Sequence, residues 1–296
     1  MRVAVVANPS SGRGKSLIAA DRICVALAAR GMVPVRIPLD AAPEDFEASC
    51  LGARAVVVVG GDGTVRSMAA RLAGRPVPLA IVPTGTENLA AREFGFRCSA
   101  KALARGIAEG RSRAVDMGIV QRPGLADHAF LIMASVGFDA DVVALLAETR
   151  RGPIAHLSYL RPILSILRGW VPPRFHAEAT AGTVIDSGGQ LVIANARRYA
   201  VGLNPARLAD PADGLLDVVV LPARGWFDIL CWAVRLLLTR GPLVQCPAER
   251  ASAWYVRLET PSHVQADGDP LPGGPAGEFR VELRPGVLQL VDMRPA

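Results

Sequence analysis

Three glycines and one aspartate stand together in the chain, as Gly60-Gly61-Asp62-Gly63-Thr64, directly after four consecutive valines. Glycine permits positive φ and lets a ligand approach the backbone closely, and free N–H groups ahead of a helix suit a phosphate. A carboxylate facing phosphates is repulsive unless a cation lies between the two, so Asp62 indicates an Mg²⁺–nucleotide site. The competing interpretation is a tight strand-to-helix turn with a solvated aspartate.

A second turn of the same kind carries Thr84, Gly85, Thr86 and Asn88, and it follows a short apolar run at residues 79–82. The side chains of Thr86 and Asn88 can hydrogen-bond a ribose or a phosphate. Ligands of α/β sheets bind at the carboxyl ends of the parallel strands. We therefore expect this turn to serve the same nucleotide, the alternative being simple capping of the helix that follows.

A third loop, residues 8–16, reads NPSSGRGKS and follows the predicted first strand. It resembles the phosphate loop GxxxxGK[ST], but Pro9 stands where the first glycine belongs. The glycines and serines that remain still offer backbone N–H groups to a phosphate. Asn8 and Ser11 are therefore candidates for the nucleotide side, against the alternative of a plain turn.

Two acidic turns lie in the second half of the chain. Asp267 and Asp269 stand two residues apart, where Gly268 and Pro270 exclude a helix. One carboxylate could act as a general base and the other could orient it or bind a cation; a hairpin turn is the alternative. The other turn, residues 210–214, could hold a divalent cation, although acidic turns without a metal are commoner.

The first 115 residues alternate strand patterns with helical patterns, which predicts a doubly wound α/β domain that positions the first three loops. The predicted strands are residues 2–7, 34–38, 56–59 and 79–82, and the predicted helices are residues 17–30, 43–50, 65–72, 89–94 and 101–110.

After residue 113 the pattern changes to short strands broken by Gly, Pro and Asp, which predicts an antiparallel β-sandwich. The predicted strands are residues 114–120, 128–133, 174–181, 183–185, 190–195, 216–221, 253–259, 279–283 and 287–291.

Apolar helical patterns interrupt these strands at residues 139–148 with 154–168, and again at residues 226–240, with arginines near the ends of both insertions. An ordinary core-facing helix is one interpretation. The other is an apolar lip that receives a lipid at a membrane surface. The most apolar segment contains Asp228 and Arg235 and is too short to span a bilayer, so no transmembrane helix is predicted.

The formal charge of +6 indicates an anionic partner. Nearly all of the positive charge is arginine, since Lys15 and Lys101 are the only lysines. Genomic base composition could produce this bias as easily as phosphate binding, so the charge alone decides little; no nucleic-acid partner is expected. Five scattered cysteines and four separated histidines argue against a zinc site. Reduced cysteines and a start that enters a strand without a signal peptide predict a cytoplasmic protein.

The ordered set of motifs resembles the diacylglycerol kinase catalytic-domain superfamily, which includes bacterial diacylglycerol kinases, YegS-like lipid kinases, sphingosine kinases and ceramide kinases. GGDGT by itself is shared with NAD kinases and, more loosely, with phosphofructokinases, whereas the ordered set is much more specific. The resemblance covers essentially the whole chain. Its motifs are NPSSGRGKS at 8–16, GGDGT at 60–64, PTGTEN at 83–88, VDMG at 115–118, SVGFD at 135–139, NARRY at 195–199, the acidic turn within 209–216 and DGD at 267–269.

The resemblance implies an ATP-binding α/β domain at residues 1–118, together with residues 286–296, and a β-sandwich domain for the lipid substrate at residues 119–285. It also implies roles for single aspartates. Asp62 would lie at the ATP phosphates and Mg²⁺, Asp116 in a polar network of the active site, and Asp213 at an accessory metal site. Asp267 would be the general base.

The nucleotide would be bound by the three loops of the first domain. The candidate residues are Asn8, Ser11, Gly60, Gly61, Asp62, Gly63, Thr64, Thr84, Gly85, Thr86 and Asn88. Two positions depart from the family pattern. Asp269 stands where the family usually has glutamate, and Glu87 is larger and more acidic than the small residue often found between Thr and Asn.

We therefore expect an ATP- and Mg²⁺-dependent lipid kinase, peripherally associated with a membrane, that transfers the γ-phosphate to a hydroxyl of a lipid such as diacylglycerol or a sphingoid lipid. Asp62, Asp267 and Asp269 are the predicted catalytic residues, and Asp62 and Asp213 the predicted metal ligands. The alternatives are a small-molecule kinase like NAD kinase, and a catalytically weak protein of the same fold that binds nucleotide or lipid. The sequence does not distinguish a homodimer from a monomer.

Overall fold

The computed structural model describes residues 1–149, 160–167, 169–199, 202–238 and 248–294. The chain divides into two compact units. The first unit contains Met1–Val115 and Gly286–Ala296, and the second unit contains Asp116–Pro285. The chain leads from the first unit to the second along strand β5, Ser112–Gln121, and returns along strand β15, Ala276–Val291.

A parallel sheet forms the centre of the first unit. Its strand order is β2-β1-β3-β4, and the last part of β15 runs beside β4, where Leu290 lies opposite Leu79. The four valines of β3 are fully buried, as expected for a strand that is covered on both faces. The strands are β1 Arg2–Ala7, β2 Val33–Ile37, β3 Ala53–Gly60 and β4 Leu79–Pro83.

Five helices pack on this sheet, α1 lying against α5 and α3 contacting both β3 and β4. Helix α3 begins at Asp62, three residues earlier than predicted, so Asp62 and Gly63 belong to its first turn. The glycine loop before it is correspondingly shorter. A single 3-10 turn at Ser11–Gly14 precedes the helices, which are α1 Lys15–Ala28, α2 Pro43–Cys50, α3 Asp62–Leu72, α4 Leu89–Phe94 and α5 Ala100–Glu109.

The second unit consists mainly of antiparallel strands. Strands β8, β12 and β15 pair in that order, while β14, β13 and β7 follow one another on the other side of β9. Strand β10 pairs with β9 and β11, and β5 with β6. The remaining strands are β6 His128–Phe130, β7 Met133–Val136, β8 Arg174–Ala179, β9 Val184–Ala194, β10 Leu216–Pro222, β11 Ala248–Ala251, β12 Ala253–Ser262, β13 Val264–Ala266 and β14 Asp269–Pro270.

Strand β9 joins the two groups of strands. Its first half pairs with β8 up to Gly188, and its second half, from Gly189 onward, pairs with β10 and β7. A Cβ on Gly189 would lie 2.4 Å from the carbonyl oxygen of Leu221, so only glycine permits this close approach. The prediction of two short strands here is wrong, because the two glycines redirect the strand without ending it. Strand β15 likewise continues through the predicted break at residues 284–286.

One apolar core fills the second unit, and side chains from both groups of strands contribute to it. Its largest fully buried side chains are those of Trp254, Phe130 and Phe279. Because alternate residues of each strand point inward, this core accounts for the alternating pattern that predicted a sandwich.

The helices of the second unit are α6 Phe138–Thr149, α7 Leu160–Leu167 and α8 Trp226–Leu238. The predicted helical residues 154–159, 168, 239 and 240 lie outside the described residues. Helix α8 buries Trp232 and Leu236 and exposes most of its other large apolar side chains. Over the ranges that the structure describes, no helix is long and apolar enough to cross a membrane.

Candidate nucleotide and acceptor sites

The three predicted nucleotide loops follow neighbouring strands of the first unit. From β1 the chain places β2 on one side and β3 with β4 on the other side, so the order of strand addition changes direction between β1 and β3. Open α/β sheets bind their ligands at such a point. Backbone hydrogen bonds join the strand ends to the next loop, since the N–H of Asn8 donates to the carbonyl of Val59 at 3.0 Å and the N–H of Thr84 donates to that of Gly60 at 2.9 Å. The loops after β1, β3 and β4 therefore lie side by side.

Four predicted site residues also contact one another through their side chains. The amide Nδ2 of Asn8 donates to Oγ1 of Thr64 at 2.8 Å, and the hydroxyls of Ser11 and Thr84 are 2.9 Å apart. Each pair joins the first loop to one of the other two. These hydrogen bonds fix the separation of the loops.

Glycine is required where the loop backbones touch. A Cβ on Gly85 would lie 2.7 Å from the Cα of Gly61, and a Cβ on Gly12 would lie 2.5 Å from the carbonyl oxygen of Thr84. Neither neighbour is a flexible side chain end that could move away. The glycines of this region therefore serve loop-to-loop contact as well as access for a ligand.

Helices α1 and α3 begin at these loops, after Gly14 and Gly61, and the residue before each provides no side-chain cap. Helix α5, by contrast, is capped by Ser99, whose Oγ accepts from the N–H of Ala102 at 3.3 Å. The first N–H groups of a helix have no partner within the helix and carry its positive dipole end. The starts of α1 and α3 can therefore receive a phosphate.

Asp62 lies in the first turn of α3, and its carboxylate accepts a hydrogen bond from the N–H of Ala90 at 3.0 Å. Burial raises the pKa of Asp62 above its ordinary value, and backbone N–H groups of α4 oppose that rise. In the described part of the chain no three acidic, histidine or cysteine side chains are grouped to hold a metal alone. One carboxylate combined with substrate phosphates is a common way to bind Mg²⁺, so Asp62 fits that ion.

Asn88 uses its side chain to close its own turn. It has a left-handed backbone with φ of 49°, and its amide both accepts from the N–H of Gly85 and donates to the carbonyl of Gly85, each at 2.8 Å. It occupies the N-cap position of α4 without a side-chain cap bond, so the capping alternative does not describe its role. Thr86 is exposed at the tip of the turn, and Glu87 lies 4.0 Å from Arg92.

A polar cluster surrounds Asp139 in the second unit. The motifs at 135–139 and 195–199 contain Ser135, Asp139 and Tyr199, but nothing in the sequence predicts that these residues contact one another. The carboxylate of Asp139, in the first turn of α6, accepts hydrogen bonds from four side chains. The donors are Ser135 Oγ at 2.7 Å, Gln190 Nε2 at 2.5 Å, Gln265 Nε2 at 3.1 Å and the Tyr199 hydroxyl at 2.5 Å. Partial burial raises the pKa of Tyr199 well above its ordinary value, and the charge of Asp139 adds to that effect, so the hydroxyl remains a donor.

Strand register assembles this Asp139 cluster. Ser135 of β7 lies directly opposite Gln265 of β13, and both side chains are buried together with that of Gln190 of β9. The signal in the sequence is a polar residue at a core position of an otherwise apolar strand, which is rare without a partner. This pattern identifies each buried polar residue, but it does not identify the partner that the residue contacts.

The turn after β13 is anchored to this cluster. The carbonyl Oε1 of Gln265 accepts from the N–H of Gly268 at 2.9 Å. Asp267 is 8% exposed with φ of 49°, and its carboxylate accepts from three consecutive backbone N–H groups. The donors are Leu131 at 2.7 Å, Ile132 at 2.9 Å and Met133 at 3.0 Å. Asp269 begins the short strand β14. Asp267 is therefore held rigidly, and its role as a base stays a prediction.

Asp116 is buried beside the other acidic turn. Its Oδ2 accepts from the N–H of Gly214 at 2.8 Å, and its own N–H donates to the carbonyl of Pro211 at 2.8 Å. The buried amide of Asn195 donates to the Asp116 carbonyl at 3.1 Å. Asp116 and the turn at residues 210–214 are thus held together by two hydrogen bonds.

Asp213 of that turn forms an ion pair with Arg250. One of its oxygens accepts from the N–H of Leu215 at 3.0 Å, and the other is bound by the guanidinium of Arg250, which also lies 3.3 Å from Asp217. This arrangement does not fit the accessory metal predicted at Asp213, because Arg250 occupies the position that a cation would take.

Comparisons with known proteins agree with this architecture. Residues 2–120 match the family "Diacylglycerol kinase catalytic domain", and residues 132–292 match "YegS C-terminal NAD kinase beta sandwich-like domain". The chain is 32% identical over 318 residues to a diacylglycerol kinase of Mycobacterium tuberculosis, a match that covers 99% of this chain and 96% of that protein.

Two further relatives extend the comparison. A protein of Pseudomonas savastanoi pv. phaseolicola described as "Probable lipid kinase YegS-like" is 34% identical over 253 residues, covering 82% of this chain and 77% of its own length. A crystal structure of a diacylglycerol kinase from Bacillus anthracis str. Sterne has the same fold, with a TM-score of 0.71 at 19% identity over 98% of this chain and 96% of that one.

Proposed function

Because this chain belongs to the family of diacylglycerol kinases and YegS-like lipid kinases, we propose how its residues carry out the reaction of that family. The chain is an ATP-dependent lipid kinase. Such an enzyme transfers a phosphoryl group from ATP to a lipid hydroxyl. The proposal assigns the nucleotide, the acceptor and the membrane contact to named residues.

The phosphates of ATP bind at the first turns of α1 and α3, where N–H groups have no side-chain cap. Asn8 with Thr64, and Ser11 with Thr84, hold the loops at the separation that the phosphates require. Asp62 would hold Mg²⁺ together with the phosphates, and the bound ion would supply charge neutralisation at the transferred group. Catalysis by this unit is therefore positioning and charge neutralisation.

The acceptor hydroxyl binds at the turn that contains Asp267 and Asp269. Asp267 accepts the proton of the hydroxyl, and its three backbone donors keep the carboxylate oriented. The Asp139 cluster holds the same turn through Gln265. Asp269 orients Asp267 or contacts the cation.

The exposed face of α8 is the observation that best supports a membrane lipid as the phosphate acceptor. Six large apolar side chains of this helix are at least two fifths exposed, whereas only Trp232 and Leu236 are buried. The exposed residues are Trp226, Phe227, Leu230, Val234, Leu237 and Leu238. A contiguous apolar stripe of this kind marks a surface that meets a partner, and with Arg224 and Arg235 beside it the stripe suits shallow insertion into an anionic bilayer. The enzyme accordingly works as a peripheral protein on the cytoplasmic membrane surface.

The experiment is phosphoryl transfer from radiolabelled ATP to a panel of acceptors. Vesicles that carry diacylglycerol, a sphingoid base or ceramide are compared with NAD and with a reaction lacking any acceptor. We expect labelled lipid in at least one vesicle sample and none in the NAD sample. Label on NAD alone would show a small-molecule kinase, and ATP binding without label on any acceptor would show a protein that has lost turnover.

A further inference from the structure

Arg250 lies between two carboxylates of the second unit. It stands in β11 directly opposite Asp217 of β10, with its Nε 3.3 Å from Oδ2 of Asp217 and another guanidinium nitrogen in contact with Asp213. Asp217 is only 2% exposed, while the side chains of Asp213 and Arg250 are partly exposed. One cation is thus shared by two carboxylates.

A buried carboxylate is costly unless a positive charge or hydrogen bonds compensate it. Burial raises the pKa of Asp217, the guanidinium of Arg250 lowers it, and the charge of Asp213 raises it again. Two carboxylates that repel each other around one cation are the surroundings that a divalent metal commonly occupies. In this chain the guanidinium compensates both charges.

The same contact determines the position of an acidic turn. Asp213 belongs to residues 210–214, and the N–H of the next residue, Gly214, donates to Oδ2 of Asp116 at 2.8 Å. The Asp116 N–H returns a hydrogen bond to Pro211 of the turn at 2.8 Å. Holding Asp213 against β10 and β11 therefore holds the Gly214 N–H and the Pro211 carbonyl, which form the two hydrogen bonds between this turn and Asp116.

We propose that Arg250 is a built-in cation that replaces a bound metal at this turn. It is a positioning residue, because it acts through Asp213 and Gly214 on the orientation of the Asp116 carboxylate. Because Arg250 supplies the compensating charge, folding of the turn does not require a divalent ion. The effect on catalysis rests on the proposed function, whereas the effect on stability and on the Gly214 amide does not.

The test compares Arg250→Met with the wild-type protein in the absence of nucleotide, by thermal unfolding and by hydrogen exchange at the Gly214 amide. We expect the wild-type Tm to be the same in chelator and in Mg²⁺ or Ca²⁺. Arg250→Met should lower the Tm and speed exchange at Gly214. Millimolar Ca²⁺ or Mg²⁺, the range of weak calcium sites, should restore both, and Arg250→Lys should restore them in part.

Two variants serve as controls. Asp213→Asn combined with Arg250→Met should lose the rescue by divalent ions, because it removes a carboxylate that the ion would bind. Arg280→Met removes an exposed arginine paired with Glu282 at 3.2 Å and should leave Gly214 exchange unchanged. An isolated exposed pair of this kind contributes little to stability.

Three results would overturn the proposal. A wild-type Tm that rises with Mg²⁺, and loses that rise in Asp213→Asn, would show a metal in place of the arginine. Unchanged exchange at Gly214 in Arg250→Met, or no rescue by either ion, would show that the guanidinium does not act as a cation there. We also expect Arg250→Met to lower kcat for phosphoryl transfer to lipid; if stability and exchange behave as expected but kcat does not fall, Arg250 does not position Asp116 for catalysis. A wild-type protein that labels no lipid would instead contradict the proposed function alone.

Discussion

The carboxylate of Asp62, at the start of α3, accepts a hydrogen bond of 3.0 Å from the backbone N–H of Ala90, at the start of α4. This bond joins the glycine loop after β3 to the turn after β4. Burial raises the pKa of Asp62, so its negative charge is unfavourable in the protein without ligand. A cation bound beside the carboxylate together with the phosphates of ATP would relieve that cost, which links stability and function at one residue.

Asp62→Asn should raise the stability of the nucleotide-free protein at neutral pH while lowering the rate of phosphoryl transfer. A carboxyl whose pKa is raised by folding is most favourable when it is protonated, at pH below its value in the unfolded chain, and it loses that contribution as the pH rises through the folded value. The Tm of the variant should therefore exceed that of wild type at pH 7. The two should converge below about pH 4, the ordinary range of aspartate.

The rate of Asp62→Asn should fall by about 10²–10³-fold, the usual effect of removing one electrostatic contact to the transition state. Asp62→Ala is the matched control, since it also removes the acceptor for Ala90 and should be less stable than Asp62→Asn. Thermal scans across pH and single-turnover transfer supply both measurements. A variant with lowered Tm at pH 7 and near-normal turnover would contradict the assignment.

Gly85→Ala should weaken ATP binding. Its Cβ would lie 2.7 Å from the Cα of Gly61, so the two loops must move apart, and overpacking of this kind costs about 1–3 kcal/mol. We expect the Kd for ATP to rise by roughly tenfold or more, as measured by titration calorimetry. Gly277→Ala adds the same atom in open space at an ordinary φ and should leave the affinity unchanged. Equal affinities in the two variants would mean that contact between the loops does not shape the site.

Replacing Trp226 and Leu230 by Gln should reduce binding to anionic vesicles. Both side chains are exposed on α8, and their burial in the bilayer supplies the apolar part of the attraction. The electrostatic part should weaken at high salt, since the Debye length falls to about 3 Å at 1 M. Leu208→Gln, which alters a leucine that is 67% exposed elsewhere in the second unit, is the control for vesicle co-sedimentation. If vesicle binding is unchanged by salt, by lipid charge and by the two substitutions, α8 is not the membrane-binding surface.

The sequence alone predicts the family, the two-part fold class and the class of reaction, because each of these depends on local sequence patterns. Four valines ahead of Asp62 indicate a buried strand, and the glycines on either side of that aspartate indicate the change from strand to helix. The family and the ATP-dependent lipid kinase activity that these motifs predicted are confirmed. The assignment of single residues to catalysis and metal binding stays a set of predictions.

Contacts that depend on strand register could not be predicted. Gln265 meets Ser135 because β13 pairs with β7, and Arg250 meets Asp217 because β11 pairs with β10. Alternation along a strand indicates which face a residue occupies, but it does not name the residue opposite. The glycines at the bend in β9 predict a strand end for a similar reason, because Leu221, whose carbonyl approaches Gly189, is remote in sequence.

Asp267→Asn provides the most direct test of the chemistry. A carboxylate that accepts the proton of a lipid hydroxyl contributes about 10²–10⁴-fold to the rate, so transfer should collapse for every lipid tried. The amide has only one acceptor oxygen for three N–H donors. At least one buried N–H therefore loses its partner, at a cost of about 1–3 kcal/mol. The Tm should fall as well, and rates must be expressed per folded protein in single-turnover transfer at saturating ATP.

Substitutions at the neighbouring carboxylate separate a base from a structural anchor. Asp269→Asn should have a rate between that of Asp267→Asn and wild type, and Asp269→Glu, which restores the usual residue of the family, should retain activity. The Kd for ATP should stay near the wild-type value in all three variants, because the proposed nucleotide contacts belong to the loops after β1, β3 and β4. A fall in Tm for Asp267→Asn with phosphoryl transfer within a few-fold of wild type would leave Asp267 as an anchor of the turn. The proton would then have to be accepted by another group.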